Sequence, residues 1–339
     1  MRHDGNLSCV LRGAGNVRFE DRPIPEIKDP YDVIARVCYV GVCGSDVHQW
    51  THGGSGPKEI SEAKPMVMGH EASGIVEAVG SAVTRVKPGD RITIEPGLPC
   101  RRCKQCKSGR YNTCPSMRFA ADPPTDGNLA RFYKVEEDFV YAIPDDLSLE
   151  EAVLVEPLSV AVHSVRLAGV RPGQRVAFGA KTIVIADINK DKLAFSRSYM
   201  DCFTFAPDIT SSPPQEASRL KEEANIDGLD IVLECTGAES SAQTGLYALA
   251  RGGTFVQVGM GMPDLTIPLA RMWDKEPVLK VSFRYGSGDY EAALELLASG
   301  KVSVKPLISN IVPFRDAPKA WEMTRRGEGI KNLIEGVQD

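Results

Sequence analysis

The run PCRRCKQCKSGRYNTCP places Cys100, Cys103, Cys106 and Cys114 in a C-x2-C-x2-C-x7-C array. Two-residue spacers let consecutive thiolates turn onto one ion, and a fourth sulfur arriving from a short loop closes a tetrahedral site with no open position. Those are the properties of a structural zinc site. The rival reading is an iron–sulfur cluster, because the first three spacings and the trailing Pro115 follow a ferredoxin-type run. The longer last gap and the single copy weigh against it.

Ligand types for a second metal are scattered. VCGSDVHQW supplies Cys43, GHEASG supplies His70 and Glu71, and VEPLSVAVH supplies Glu156. Each segment alone has an ordinary explanation, since a lone Cys packs as a small core residue and a lone His packs or hydrogen-bonds. Their joint presence in this order, ahead of a nucleotide-type sheet, is far more specific.

The elements that must position these residues fall into two groups. Up to about residue 150 the chain consists of short β-type runs such as VIARVCYVGV, ASGIVEAVG and GDRITIEPG, broken by Gly, Pro and Asp. From about Pro172 it alternates compact apolar strands (TIVIAD, LDIVLECTG, GGTFVQVGM) with helical stretches, the grammar of a parallel sheet covered by helices. DYEAALELLASG then predicts a helix stopped at Gly300, and VKPLISNIVPF and NLIEGV predict strands that return to the first domain. The expected fold class is α/β. Residues 1–155 with 290–339 would form one domain with a metal lobe at 95–116, and residues 156–289 the other.

On these residues the chain resembles the zinc-dependent medium-chain dehydrogenases, and within them the polyol branch of fungal-type sorbitol and xylitol dehydrogenases. The likeness covers nearly the whole chain, through KPMVMGHEASGIVEAVGSAV, GRYNTCP, FAADPPTDGNLARFY, VEPLSVAVH, ECTGAE, VQVGMGM and SFRYGSGDY. It implies a GroES-like catalytic domain joined to a Rossmann-type NAD-binding domain. It further implies that Cys43, His70 and Glu71 hold a catalytic zinc, that Glu156 is a carboxylate beside the metal, and that Ser45 and His48 relay a proton toward solvent. By the same resemblance Phe119 and Trp50 match pocket-wall aromatics, with core packing as the alternative for either, while Arg284 and Tyr285 match positions that contact the polyol or the cofactor. For the last pair a solvent-exposed strand end is the alternative. Lys192 matches a basic position near the adenosine ribose, and Val258 with Gly259 match backbone near the nicotinamide. The family implies a homotetramer and a small polyol oxidised to a ketose. Gln49 departs from the pattern, which commonly has an aromatic residue after the histidine.

A larger departure lies in the nucleotide motif. Asp187, after TIVIA, suits the acid that ends the second strand and accepts the ribose hydroxyls, which favours NAD over NADP. Upstream stands only RVAFGAK, and no G-x-G-x-x-G occurs in the chain. A crossover between parallel strands needs a dozen or more residues. Against the family pattern, the resemblance implies that about 20 residues are missing, the size of one strand end, its Gly turn and a helix. FGAK is either the first strand or the tail of the lost helix. The expected Rossmann-type sheet is truncated, and a zinc protein unable to bind NAD stands as the alternative to an active dehydrogenase.

Composition narrows the partners. Lys plus Arg number 40 against 45 Asp plus Glu, a formal charge of -5 with no long run of like charges, so nucleic acid and anionic membranes are poor candidates. The opening residues lack the apolar core of a secretory signal, and nothing approaches the roughly 18 apolar residues of a membrane span. Nine cysteines, four of them clustered, fit a reducing compartment and a cytoplasmic setting better than a disulfide framework. A zinc hydrolase is the weakest alternative, because it leaves Asp187 and the later strands without a purpose.

Overall fold

A computed structural model describes residues 5–54, 58–170, 182–261 and 264–338. The chain divides into two compact units, residues 1–159 with 286–339, and residues 160–285.

The larger unit is built on a mostly antiparallel sheet. From one edge its strands are Val140–Ala142, Arg91–Ile94, Glu71–Val79, Asp32–Gly41, Lys331–Glu335 and Ile308–Val312, with Phe132–Glu136 pairing along the first half of Asp32–Gly41. Asp32–Gly41 is central because it has a partner on each side along its length, and its register with Glu71–Val79 runs from Val33 opposite Val79 to Gly41 opposite Glu71. The two C-terminal strands do return to this unit: Lys331–Glu335 lies antiparallel to Asp32–Gly41, with Leu333 opposite Gly41. A smaller sheet, Val17–Arg22, Asn6–Leu11 and Met66–Val67, shares the same core. That core holds Leu11, Val40, Met68, Ile92, Ile94 and Trp321, apolar side chains whose transfer from water is the main term holding the unit together.

In the smaller unit every pairing among the described strands is parallel. Val184–Ala186 pairs with Phe203–Phe205, while Leu229–Glu234, Leu249–Gln257 and Val278–Val281 form a separate three-stranded sheet. Helices Lys190–Tyr199 and Glu239–Ala248 each join two strands that pair in parallel, as such pairing requires, and Pro213–Glu223 leads from Phe203–Phe205 to Leu229–Glu234. Pro213–Glu223 begins at Ser212 with a capping box, in which the Ser212 N–H donates to Gln215 Oε1 at 3.1 Å. In a dinucleotide-binding sheet of order 3-2-1-4-5-6, the two pieces correspond to 3-2 and 4-5-6. The position between them belongs to the first strand, and RVAFGAK, where that strand was sought, lies outside the described residues.

Candidate active site

Helix Gly44–His52 starts at Cys43 for a local reason. The Asp46 carboxylate turns back to accept the Cys43 N–H at 2.9 Å, and the helix ends at Gly53, whose φ of 70° closes it in the left-handed conformation. The Cys43 thiol therefore sits at a fixed helix start. His70 and Glu71 lie at the entry of the Glu71–Val79 strand, and register sets Glu71 directly across from Gly41. A Cβ at Gly41 would lie 2.0 Å from Glu71 Oε2, so only glycine leaves room for that carboxylate. The ligand atoms of Cys43, His70 and Glu71 all lie within 4.8 Å of one another. Tetrahedral zinc with bonds of about 2.0–2.3 Å separates its ligand atoms by roughly 3.3–3.8 Å, so the three donors fit one ion and leave a fourth position open.

Two residues that sequence reasoning passed over complete this site. Asp46, which is buried, has its Oδ1 3.3 Å from His70 Nδ1, a carboxylate beside the imidazole of the kind that orients metal-binding histidines. Burial opposes a charged His70, yet the Asp46 carboxylate and the Cys43 thiol outweigh it and hold His70 well above its ordinary value. Lys331, on the C-terminal strand, forms an ion pair with Glu71 Oε2 and donates to the Val42 carbonyl at 3.0 Å. Asp46 had a local signal, an acid three residues into a helix that starts at a thiol. Lys331 had none.

Glu156 occupies the first turn of helix Val155–Ala168, where Pro157 costs no hydrogen bond, and its side chain is buried. It interacts electrostatically with Lys331. Ser45 and His48 are three residues apart on helix Gly44–His52, Ser45 half-buried and His48 exposed with its ring stacked on His52 at 4.6 Å. The Phe119 ring lies 5.8 Å from that of His70. Gln49 donates to the Ala121 carbonyl at 2.7 Å and so ties the helix to the segment after Phe119. Trp50 packs on Trp321 at 5.9 Å as part of the core.

The four-cysteine array closes on itself. Cys103 Sγ lies 3.4 Å from Cys106 Sγ and 3.9 Å from Cys114 Sγ, and Cys100 Sγ lies 3.9 Å from Cys106 Sγ. These separations are too long for disulfides and match four sulfurs about 2.3 Å from a common centre. Backbone N–H groups of Arg102 and Cys103 draw the Cys100 thiol down to about 6, whereas burial and its sulfur neighbours push Cys106 up to about 12. A divalent cation would resolve that competition by holding all four as thiolates. Tyr111 ties the lobe down by donating to Glu95, which also accepts from Tyr141 at 2.8 Å.

In the smaller unit the turns after strands Leu229–Glu234 and Leu249–Gln257 meet at the C-terminal end of their sheet, the usual ligand side of an open α/β sheet. The N–H groups of Val258 and Gly259 both donate to the Glu234 carbonyl, at 2.8 and 2.9 Å. The buried Glu234 carboxylate collects N–H bonds from Thr236 and Gly237 and a bond from Gln257. The ECTG and VGMG turns approach so closely that a Cβ at Gly259 would lie 2.3 Å from Gly237 N. Asp187 follows strand Val184–Ala186 and accepts the Asn189 N–H at 2.8 Å, while Lys192 lies in the first turn of helix Lys190–Tyr199. Arg284 has a φ of 53° with its guanidinium over Phe283, and Tyr285 is buried, so the pair is not a solvent-exposed strand end.

Residues 29–145 match the family model of the alcohol dehydrogenase GroES-like domain, and residues 175–299 that of the zinc-binding dehydrogenases. The chain is 50% identical to a probable D-xylulose reductase A of Neosartorya fischeri, covering 98% of each chain. The chain belongs to the zinc-dependent medium-chain dehydrogenases. Within this family it falls in the polyol branch: it is also 47% identical to D-xylulose reductase A of Aspergillus niger, covering 98% of this chain and 97% of that one. The crystal structure of L-idonate 5-dehydrogenase from Escherichia coli aligns with a TM-score of 0.86 at 28% identity, covering 97% of this chain and 98% of that one. A medium-chain dehydrogenase of this branch is a zinc enzyme that passes hydride between an alcohol and a nicotinamide dinucleotide. Among the described residues no helix is long and apolar enough to cross a membrane.

Proposed function

We propose that this chain oxidises a secondary hydroxyl of a sugar alcohol of the xylitol or sorbitol kind to the ketose, with NAD as hydride acceptor. One observation carries this reading: the ligand atoms of Cys43, His70 and Glu71, drawn from separate segments, gather within the span of a single ion. Zinc held there would supply a positive charge that lowers the pKa of a bound hydroxyl. In this reading Cys43, His70 and Glu71 are the ligands and Glu156 is the carboxylate beside them. Ser45 and His48 carry the proton outward, His48 from a position open to solvent. Phe119 walls the pocket, with Arg284 and Tyr285 available to polyol or cofactor. Cys100, Cys103, Cys106 and Cys114 hold the structural zinc.

The preference for NAD rests on Asp187, whose carboxylate at the strand end suits the ribose diol and repels a 2′-phosphate. Lys192, Val258 and Gly259 complete the cofactor contacts. A shortened nucleotide segment is part of the proposal. The alignment with the Neosartorya relative spans 352 positions, 13 more than this chain's 339 residues, so at least that many positions of the relative have no counterpart here. Self-association, which the family likeness makes a tetramer, would use an edge such as strand Val278–Val281, whose four residues are all exposed, with Trp273 nearby in sequence and 82% exposed.

The test is NADH formation from a panel of xylitol, sorbitol and related polyols with NAD or NADP. It is run on this chain and on one with a strand–glycine turn–helix segment restored before Thr182. Xylitol with NAD is expected to lead the panel in at least the restored form. No turnover of any polyol by either form would refute the assignment.

A further inference from the structure

Glu71 is held by parts of the chain that no local pattern connects. Register places Leu333 opposite Gly41, and the Val42 N–H donates to the Asn332 carbonyl at 3.0 Å. Counting on, the antiparallel pairing brings Lys331 opposite Cys43. Its Nζ reaches Glu71 Oε2 and the Val42 carbonyl, with the side chain 13% exposed and that of Glu71 1% exposed. Oε2 is also the oxygen that a Cβ at Gly41 would displace. Lys331 thus occupies one oxygen of the carboxylate, in a slot that strand register and the missing Gly41 side chain keep open. It also faces the negative potential of Cys43 and Glu156. A buried cation in such a place is retained at a cost unless its partner is fixed.

We propose that Lys331 is a positioning residue for the metal centre: by keeping Glu71 Oε2 it limits Glu71 to one oxygen for the ion and holds that oxygen in the ligand geometry. Without it the carboxylate would be free to rotate, to bind through both oxygens or to leave. This inference rests on the assignment of Cys43, His70 and Glu71 as ligands.

The experiment uses the full-length chain loaded with Zn2+, or with Co2+ as a spectroscopic probe, and compares the parent with Lys331→Met, Lys331→Gln and Lys331→Arg. The four-cysteine lobe is the internal control. In Lys331→Met and Lys331→Gln the zinc of the open site should leave to a chelator roughly 10–100-fold faster, as for other residues that orient a metal ligand. The cobalt d–d bands of that site should shift while the thiolate bands of the lobe stay, and Lys331→Arg should recover most of the retention. Release rates within about twofold of the parent, with unmoved bands, would overturn the proposal. Loss of both metals together in Lys331→Met and Lys331→Gln, with loss of secondary structure, would overturn it too, by assigning Lys331 to the fold. A parent chain that binds zinc only in the lobe would instead remove the ligand assignment itself.

Discussion

The two metal centres of the larger unit are built in opposite ways. The four thiols of the lobe come from one stretch of chain, Cys100 to Cys114, and close on themselves with sulfur separations of 3.4–3.9 Å. The open site takes Cys43 from a helix start, His70 and Glu71 from a strand entry, Asp46 from behind His70 and Lys331 from a strand 289 residues beyond Val42. A site made by one loop needs little from the rest of the molecule and has nothing left to offer a substrate. The other site depends on sheet register and keeps a coordination position free, which is what catalysis requires.

Cys43→Ser set against Cys103→Ser is the strongest way to break this comparison. The first is expected to lower polyol oxidation by about a thousandfold or more, the worth of several kcal/mol of charge stabilisation, while thermal unfolding stays near the parent's. The second should lower the unfolding midpoint by at least about 5 °C. Metal analysis and thermal scans on both variants check the pair; equal losses of activity and stability in both would erase the distinction.

The attachment of the lobe has its own pH signature. Burial raises the Glu95 carboxyl from its ordinary 4.5 to about 7. The folded chain therefore holds this proton where the unfolded chain has released it, so stability from Glu95 is greatest below about 4.5 and declines as pH rises through 7. The full swing is on the order of 3 kcal/mol. Unfolding midpoints measured across that window should fall with rising pH in the parent, and Glu95→Gln should flatten the slope. An unchanged slope in the variant would place the effect elsewhere.

A smaller effect is expected at Asp46. Asp46→Asn keeps the shape but removes the charge facing His70, and should weaken zinc retention at the open site by roughly 10–100-fold while sparing the lobe. Chelator competition reads both sites in one experiment. Release from the open site at the parent's rate would show that His70 needs no orienting partner.

What was legible from residues alone follows the same division. The cysteine array needed only its spacing, because two-residue turns fix the directions of neighbouring sulfurs. The β-rich and alternating halves were legible from apolar periodicity, and the helix over DYEAALELLASG runs from Asp289 to Ala298 ahead of Gly300. Cys43, His70 and Glu71 were found through a family likeness, since singly each is an ordinary core or strand residue. Trp50 was matched to a pocket wall by that likeness and sits on Trp321 in the core. Glu234 stands in the ECTGAE motif that the family likeness uses, but its role in organising the turns after two parallel strands was not legible there, because the bonds it makes depend on where those turns meet.

The sequence by itself determined what is local: the thiolate lobe, the strand and helix grammar, the acid at position 187 and the absence of a glycine-rich phosphate loop. Short spacers and 3.6- or 2-residue periods act over a few ångströms of contiguous chain, so they survive in the one-dimensional record. Tertiary structure decided that Gly41 must lack a side chain, that Asp46 faces His70 and that Lys331 holds Glu71. The Gly41–Glu71 and Lys331–Glu71 contacts depend on the register of strands far apart in sequence, where a shift of one residue would turn Glu71 or Lys331 to the opposite face. Asp46 meets His70 only because the helix start packs beside the entry of the Glu71–Val79 strand.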